Sequence, residues 1–505
     1  MGDPGSSPVL SLRPSAGSAV ADGPHVFEAG EPLDGTGVFA RWAWDGERLI
    51  AANDRFGIQP LFYASEGGAL RISPSIAALL RSGASPALDD AALAVFVRVG
   101  FFVGEDTPFR AIRALPPGAH VEWRAGRLDV RSHPRRLVPS ALSRDEAIDA
   151  FAVMFTRAVE RRLQASAAPI AVPLSGGHDS RHIVLALHAL GRRPDRCVTV
   201  EPYPPSAGDD VRLARLVADA VGVPHVVVPQ RFDRIAAESE KNGLTNFCAD
   251  EHVQFLPLRD YFAANRCAVF DGLAGDVLSQ SQRLDPELHR HFEGGRLRAA
   301  AETILGDASA IDGALAGLLT PQAFVRFGRE QAIARIVEEA GRHAGAPNPI
   351  ASFFAFTRMR REVALAPCAL LDVAAAAWLP FLEADLATLL LSLPFALVAD
   401  RRLHTDLLAR HYPSFAHLPI DAKQPGREDP RRVRRDALGL VRAIAGAPSA
   451  LVARGAVAAR AARALATGRS AQLWFLPKVM HLLDVERASN DAPRRGEAPA
   501  SAAGL

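Results

Sequence analysis

The order of apolar and polar positions divides the chain into a strand-rich first part and a helix-rich remainder. Short alternating runs such as 38–44 lie between Gly and Asp-Gly turns, a pattern typical of antiparallel strands. Near Ser143 the spacing changes: Glu146 completes a capping box, and apolar residues from Ile148 to Val159 recur at helical intervals. The change of period predicts a domain boundary within 135–143.

The segment that follows alternates between strand and helix patterns. In chain order it predicts strand 170–174, helix 180–190, strand 197–200, helix 210–221 and strand 225–228. Such a βαβαβ order is typical of a parallel sheet covered by helices.

The rest of the chain completes the predicted domain organisation. From Leu256 onward the pattern is mostly helical, and residues after Arg487 are polar and rich in Pro and Ala, which favours disorder. We therefore predict an α/β protein with a β-rich domain at 1–138, a parallel-sheet domain with many helices at 139–487, and a disordered tail at 488–505.

Composition and charge exclude several classes of protein. The hydrophobic share of 49% and the charged share of 23% are ordinary for a globular protein, and a net charge of +2 argues against nucleic acid as a partner. A basic run at 427–435 is interpreted as a solvated helix face. The most apolar stretch, 370–398, is interrupted by prolines and carboxylates that disfavour a membrane span. With no signal peptide and four widely spaced cysteines, we expect a cytoplasmic protein without membrane contact, disulfides or a zinc site.

The loop Ser175-Gly176-Gly177-His178-Asp179-Ser180 carries the clearest chemistry, because it joins a predicted strand to a predicted helix. Backbone N–H groups and the positive end of the helix dipole attract an anion at such a junction, and the two serines add hydroxyl donors. A carboxylate among phosphates suits a Mg²⁺ ligand, which assigns that role to Asp179. The alternatives are an ordinary tight turn for the loop and a helix cap for Asp179. His178 and His182 are interpreted as structural.

The loop lacks the spacing of a Walker-type phosphate loop and resembles the S-G-G-x-D-S pyrophosphate loop of enzymes that adenylate their substrates. NAD synthetases, GMP synthetases and tRNA-thiolating enzymes carry similar loops, so other sequence motifs are needed to distinguish these families. Five further blocks resemble those of asparagine synthetases: 53–63 (R-D-R-F-G-I-K-P-L-Y-Y in the family), 107–118 (T-x-F-x-x-I-x-x-L-x-P-G), 272–276 (G-E-G-x-D), 380–383 (P-F-L-D) and 418–423 (L-P and R-x-K). Over roughly 38–427 the chain is thus identified as a member of the asparagine synthetase and β-lactam synthetase superfamily.

This resemblance implies a fold and a set of ligand contacts. The fold would be a degenerate class II amidotransferase-like domain followed by a PP-loop synthetase domain related to adenine nucleotide α hydrolases. ATP and Mg²⁺ would be the cofactors, with Asp179 and Asp276 as metal ligands, although Asp276 is alternatively a turn residue. Lys423 and Asp276 would be catalytic. The residues implied to contact ATP and its pyrophosphate are Leu174, Ser175, Gly176, Gly177, Asp179, Ser180, Thr199, Val200 and Gly272.

The chain departs from the family in both domains. Glutamine-using members carry a catalytic cysteine directly after the initiator methionine, where this chain has Gly2, and no cysteine precedes Cys197. We therefore expect no glutaminase activity. In the second domain, positions where the family motifs have Glu or Arg are apolar here: Leu273, Val277, Ala376 and Trp378. This loss disfavours free aspartate as the substrate, because a small charged molecule needs charged partners when it leaves water.

Members with an inactive first domain include β-lactam synthetases and the cyclases of lasso peptides. The resemblance therefore favours an AMP-forming ligase that joins a carboxylate to an amine of the same molecule, as in macrolactam closure. Its substrate would be a peptide or a modified amino acid, and the partners would be a precursor peptide with an accessory protease and a leader-binding protein. One alternative is an intermolecular ligase that uses free ammonia or another amine; the other is an inactive scaffold of the same fold.

Lysine usage adds one argument. Of 58 basic residues only Lys241, Lys423 and Lys478 are lysine, which suggests that a retained lysine marks a position where arginine does not serve. Because Lys423 falls on the R-x-K segment, we assign it a catalytic role, and we interpret Lys241 and Lys478 as chance retention at solvated positions.

Overall fold

The alternating runs of the first part form antiparallel strands in the computed structural model, which describes residues 7–15, 18–33, 35–132, 137–203, 209–280, 283–371, 373–420, 428–446 and 448–493. Two helices interrupt the strands. The strands are β1 (Leu10–Ser15), β2 (Ser18–Asp22), β3 (Val26–Gly30), β4 (Phe39–Trp44), β5 (Arg48–Asn53), β6 (Phe62–Glu66), β7 (Ala69–Ser73), β8 (Ile112–Ala114), β9 (Ala119–Arg124) and β10 (Arg127–Ser132), and the helices are α1 (Ile76–Arg81) and α2 (Asp90–Val99).

These strands make two five-stranded sheets, with the orders β2-β1-β7-β6-β8 and β10-β9-β5-β4-β3. The alternation along β4 explains their packing, because Ala40, Trp42 and Trp44 are buried between the sheets while Arg41 is exposed. Trp123 of β9 lies in the same core, with its ring centroid 5.8 Å from that of Trp44. The prediction of a β-rich first domain is confirmed.

The capping box predicted at Ser143 begins the long helix α3 (Arg144–Gln164), where the Ser143 hydroxyl accepts from Glu146 N–H and the Glu146 carboxylate accepts from Ser143 N–H. The predicted βαβαβ unit follows, with each boundary within one residue of the expected position. Its elements are β11 (Ile170–Pro173), α4 (Asp179–Ala189), β12 (Arg196–Val200), α5 (Asp209–Val221) and β13 (His225–Val228).

Two short strands complete a parallel sheet of order β13-β12-β11-β14-β15. After α6 (Arg234–Leu244) and α7 (Leu256–Ala264), strand β14 (Ala268–Phe270) pairs with β11, and β15 (Ala376–Trp378) pairs with β14. The sequence pattern did not predict these strands, because three apolar residues without alternation show no strand period.

Helices make up most of the remaining described residues, as predicted. Two of them are π-helices, Ala355–Val363 and Ala366–Leu370. The α-helices are α8 (Gly275–Ser279), α9 (Pro286–Glu293), α10 (Leu297–Leu305), α11 (Ala308–Ala316), α12 (Pro321–Arg326), α13 (Arg329–His343), α14 (Pro349–Phe354), α15 (Ala384–Ser392), α16 (Phe395–Val398), α17 (Leu403–His411), α18 (Pro430–Gly446), α19 (Arg454–Thr467) and α20 (Leu476–Asp491). In the described ranges, no helix combines the length and apolar character that crossing a bilayer requires.

The predicted start of the disordered tail at residue 488 is wrong by at least four residues, because α20 continues to Asp491. The helix is held beyond Arg487 by tertiary contact, since the Ser489 hydroxyl donates to the Pro86 carbonyl at 2.9 Å. Residues 494–505, the remainder of the predicted tail, lie outside the described part of the chain.

A buried ion-pair network joins the two domains. Arg162 of α3 donates to both oxygens of Glu31 in the first domain, at 2.6 and 2.9 Å, and to Glu383 at 2.7 Å. Arg360, on the first π-helix, donates to the carbonyls of Gly57 and Gly104. Buried guanidinium groups are costly unless hydrogen-bonded, so these contacts fix the first domain against the sheet domain.

Candidate active site

The candidate site lies at the point of the parallel sheet where the order of strand addition reverses. From the central strand β11 the chain proceeds to β12 and β13 on one side, and it later returns to β14 and β15 on the other side. The loops that leave neighbouring strands β11 and β14 therefore flank a crevice at the carboxyl edge of the sheet. Ligands of open α/β sheets bind at such switch points.

Two glycines of the loop after β14 explain how the two loops approach. A Cβ atom on Gly272 would lie 2.8 Å from the Asp179 Cβ, and one on Gly275 would lie 2.4 Å from the Asp179 Cγ. Neither distance is compatible with a side chain. Glycine at 272 and 275 is thus required by the close packing of this loop against Asp179.

Replacing Gly275 by Ala is expected to displace the Asp179 carboxylate, because the new methyl group has no other space. We expect at least a ~10-fold loss of turnover with the fold retained, the scale seen when the orientation of a metal-ligating group is disturbed. Gly243→Ala is the matched control, because nothing lies within 4 Å of a Cβ at that position. Equal turnover of the two variants would contradict the packing argument.

Asp179 and Asp276 come together from the two loops. Asp276 N–H donates to Asp179 Oδ2 at 2.9 Å, the Asp179 side chain is 21% exposed, and Asp276 is exposed. Ala274, between the glycines, has φ of +81°, an uncommon conformation for a residue with a Cβ. Carboxylate oxygens are the ligands that Mg²⁺ prefers, so the two side chains fit the metal implied by the sequence.

The loop after β11 makes a compact set of hydrogen bonds. Gly176 N–H donates to Asp210 Oδ1 at 2.9 Å, Gly177 N–H donates to Ser175 Oγ at 3.2 Å, and Ser175 N–H donates to Ser180 Oγ at 3.1 Å. A Cβ on Gly176 would lie 2.6 Å from Leu213 Cδ1, so this residue is glycine because α5 packs against it. At Gly177 the nearest atom to such a Cβ is Ser175 Oγ at 3.4 Å. A ligand can therefore approach the backbone closely at Gly177, whereas α5 occupies that space at Gly176.

Leu174, Thr199 and Val200, which the resemblance implies as contacts of ATP, are placed at the ends of β11 and β12. Thr199 is buried, and its hydroxyl donates to the Leu174 carbonyl at 2.6 Å and lies 2.8 Å from His225 Nε2. Leu174 is buried too, whereas Val200 is partly exposed at the end of β12. The Thr199 side chain thus joins the two strands through the Leu174 carbonyl, which leaves other backbone groups and Val200 at this edge for a ligand.

Histidines behind the loop form a contact that the sequence analysis missed. His404 of α17 is fully buried, with Nδ1 at 3.5 Å from Asp179 Oδ1 and 3.2 Å from Ser279 Oγ. Its Nε2 lies 3.0 Å from Nδ1 of buried His182, which stacks on Phe155. His178 Nε2 lies 2.9 Å from Thr405 Oγ1. Burial lowers the pKa of His182 and of His404 well below the usual value, so both are neutral.

A charged group on the first π-helix lies near Asp276. Burial alone would lower the pKa of Arg358, but the carboxylates of Glu362, Glu251 and Asp276 raise it above the usual value. Its guanidinium lies 3.2 Å from Glu251 and from Glu362. Burial also raises the pKa of Asp271, directly before Gly272, to about 6. Sequence spacing gave no signal for Arg358, because it reaches the site from a distant element.

The positions that differ from the family motifs are largely inside the protein. Leu273, Val277 and Trp378 are buried, and Ala376 is half-buried. In the first domain, Asn53 stands where the family block begins with Arg. Its amide is committed to the fold, since it donates to the Pro116 carbonyl and accepts from Ala119 N–H.

Lys423 lies outside the described residues, and so does Gly2. The segment leading to Lys423 is anchored beside the loop, because buried Arg181, directly after Ser180, donates to the carbonyls of Leu418 and Pro419 at 3.0 and 2.6 Å. The structure thus gathers every other predicted site residue at one edge of the sheet.

Two families of known proteins match parts of the chain. Residues 26–133 match the glutamine amidotransferase domain family, and residues 150–241 match the asparagine synthase family. The chain therefore belongs to the asparagine synthetase-like superfamily.

Individual relatives are distant. An amidase, chyE, from Penicillium rubens is 27% identical over 50% of this chain and 42% of its own length. A second amidase, chry2, from Gibberella zeae is 28% identical over 38% of this chain and 31% of its own. Asparagine synthetase (glutamine-hydrolyzing) 3 from Bacillus subtilis is 31% identical over 29% of this chain and 25% of its own. The chain thus matches less than half the length of these curated relatives.

Proposed function

We propose that this protein is an ATP-dependent, AMP-forming ligase that adenylates a carboxylate and joins it to an amine. The observation that carries the proposal is the contact of Asp179, in the loop Ser175–Ser180, with Asp276, in the loop after β14, at the switch point of the sheet. Membership in the asparagine synthetase-like superfamily supports this chemistry.

The chain's own residues supply the binding and the orientation. The start of α4 would receive the pyrophosphate part of ATP, with close approach to the loop at Gly177, since the helix dipole and the N–H groups of the first helical turn favour an anion there. Asp179 and Asp276 would hold Mg²⁺, which would neutralise charge on the phosphate oxygens. The substrate carboxylate attacks the α-phosphorus, the bond to the β-phosphate bridging oxygen breaks, and pyrophosphate leaves. An amine then attacks the acyl carbon, loses a proton and displaces AMP.

We further propose that the amine and the carboxylate belong to one molecule, a peptide or modified amino acid, as in closure of a lasso peptide macrolactam ring. The loss of charged groups at Leu273, Val277 and Trp378 supports a substrate larger and less polar than aspartate. Holding both ends in one site replaces a bimolecular encounter. A precursor peptide, an accessory protease and a leader-binding protein are the partners consistent with this substrate.

Exchange of labelled pyrophosphate into ATP tests the first half of the reaction. We expect exchange that requires Mg²⁺ and a cognate carboxylate, and its absence with every candidate peptide and amino acid would favour an inactive scaffold. A product yield that rises with added ammonium would favour an intermolecular ligase, whereas a yield that does not respond to it supports ring closure.

Glutamine is not expected to supply the amine. No cysteine occurs between residues 1 and 196, and Asn53 occupies the first position of the block that begins with Arg in glutamine-using relatives. Purified protein incubated with glutamine is expected to release no glutamate above a no-enzyme control between pH 6 and pH 9, as roughly the range in which a thiol nucleophile works. Measurable glutamate release would refute the prediction.

A further inference from the structure

A chain of four buried or half-buried polar groups runs from the core to the candidate metal ligand Asp179. It begins at His182 on α4, passes to His404 on α17, and ends at Ser279 on α8 and at Asp179. Because α8 follows the loop after β14, the chain connects both loops of the crevice with a third element. The inference below rests on the proposed ATP and Mg²⁺ site.

The number of donors and acceptors on each group fixes which group donates in each of these contacts. The Ser279 hydroxyl donates to the Gly275 carbonyl at 2.6 Å, so its remaining lone pairs can only accept. An ionised Asp179 carboxylate also only accepts. His404 Nδ1, which faces both oxygens, must therefore carry the proton.

The second histidine follows from the first. A neutral imidazole protonated at Nδ1 has an acceptor at Nε2, so His182 Nδ1–H donates to His404 Nε2 across their 3.0 Å contact. His182 Nε2, which has no hydrogen-bond partner among the described residues, is then a bare acceptor. The opposite arrangement would bury an N–H donor without an acceptor and turn a lone pair of His404 toward the carboxylate, and both features are costly.

We propose that His404 is a positioning residue for Asp179: its Nδ1–H, held in place by donation from His182, donates to Ser279 Oγ at 3.2 Å and attracts Oδ1 electrostatically from 3.5 Å, while Asp276 N–H donates to Oδ2. With both oxygens oriented, the remaining lone pairs of the carboxylate are presented to a cation. Groups that orient a metal ligand in this way typically change metal affinity by 10- to 100-fold, roughly, when they are removed.

Aromatic residues packed against the two imidazoles support this arrangement. His182 stacks on Phe155 with ring centroids 3.9 Å apart, and the Phe381 ring of the P-F-L-E block lies 5.7 Å from the His404 ring. Both imidazoles are fully buried, so neither can rotate to satisfy its nitrogens with water. The tautomers are therefore set by the protein.

Binding of α,β-methylene ATP by calorimetry, with and without Mg²⁺, tests the role of His404. His404→Leu keeps the apolar volume and removes the donor, so we expect at least a ~10-fold loss of affinity with Mg²⁺ and little change without it. His404→Asn keeps a donor near the Nδ1 position and is expected to recover most of the affinity. His120→Asn is the control, because this imidazole is exposed on β9 in the first domain.

The outcomes separate the inference from the proposed function. Unchanged affinity in His404→Leu, or an equal loss with and without Mg²⁺, would overturn the positioning role. A wild-type protein that does not bind the analogue would instead defeat the proposed ATP site.

A second measurement does not depend on nucleotide or on the leucine variant folding. Long-range ¹H–¹⁵N correlation spectra of ¹⁵N-histidine protein, assigned by loss of signal in His404→Asn, report the tautomer of residue 404. A neutral ring protonated at Nδ1 is expected, and a ring protonated at Nε2 would overturn the inference.

Discussion

Asp179→Asn and Asp276→Asn are each expected to reduce turnover by ~10²-fold or more, the scale on which removal of one preorganised electrostatic group acts. The fold should persist, because an amide oxygen at 179 can still accept from Asp276 N–H, the contact that joins the two loops. What disappears is one negative charge from a site with two carboxylates, which weakens binding of both the metal and the pyrophosphate.

Steady-state release of pyrophosphate measures this effect, with thermal unfolding as the check on the fold. Asp219→Asn is the matched control, because Asp219 is an exposed carboxylate on α5. Both site variants are expected to require more Mg²⁺ for half-maximal rate. Near-wild-type pyrophosphate release in both would show that the paired carboxylates are not metal ligands.

Local chemistry explains why much of the site was predictable from sequence. The loop Ser175–Ser180 is contiguous, and its strand-to-helix context follows from a change of hydrophobic period that single-sequence patterns carry well. His404 and Arg358 were not predictable, because each reaches the site from a helix more than a hundred residues away from the loop along the chain. Neither lies at a spacing that distinguishes it from an ordinary helical residue.

The lysines show how a composition argument fails without tertiary structure. Lys241 was interpreted as solvated, but it is fully buried on α6, where its ammonium donates to the Ala249 carbonyl at 2.8 Å and lies 3.5 Å from buried Glu238. Lys478 pairs with Asp250 at 2.6 Å. Both lysines hold the loop between α6 and α7, in which Asn246 and two other non-glycine residues have positive φ. The expected solvated position is therefore wrong for both residues.

The basic run was misjudged for a related reason. Arg432 lies with its guanidinium carbon 4.2 Å from the centroid of the Tyr203 ring, and Arg435 lies 3.6 Å from that of Phe232. These two arginines pack on aromatic rings of other segments, while Arg431 and Arg434 of the same run are exposed. Charge density alone predicts a solvated face, whereas guanidinium groups also pack on aromatic rings.

The same structure sharpens the argument for Lys423. The two retained lysines in the described residues each have a specific acceptor, which supports the view that lysine in this arginine-rich chain marks a position with a defined contact. Buried Arg181 holds Leu418 and Pro419 beside the loop Ser175–Ser180, and Lys423 follows Pro419 by four residues in the sequence.

Lys423→Arg and Lys423→Met are both expected to retain ATP binding and to lose amide formation by at least ~10²-fold. A compact ammonium can follow the charge that develops as the amine attacks the adenylate, whereas a planar guanidinium requires a fixed bidentate partner. Because the loss is confined to the step after adenylation, pyrophosphate exchange should fall less than product formation in both variants.

Arg266→Lys, at an exposed position between α7 and β14, controls for a change of basic side chain. An arginine variant with wild-type product formation would show that position 423 needs only a positive charge, and a methionine variant with wild-type product formation would remove Lys423 from the mechanism.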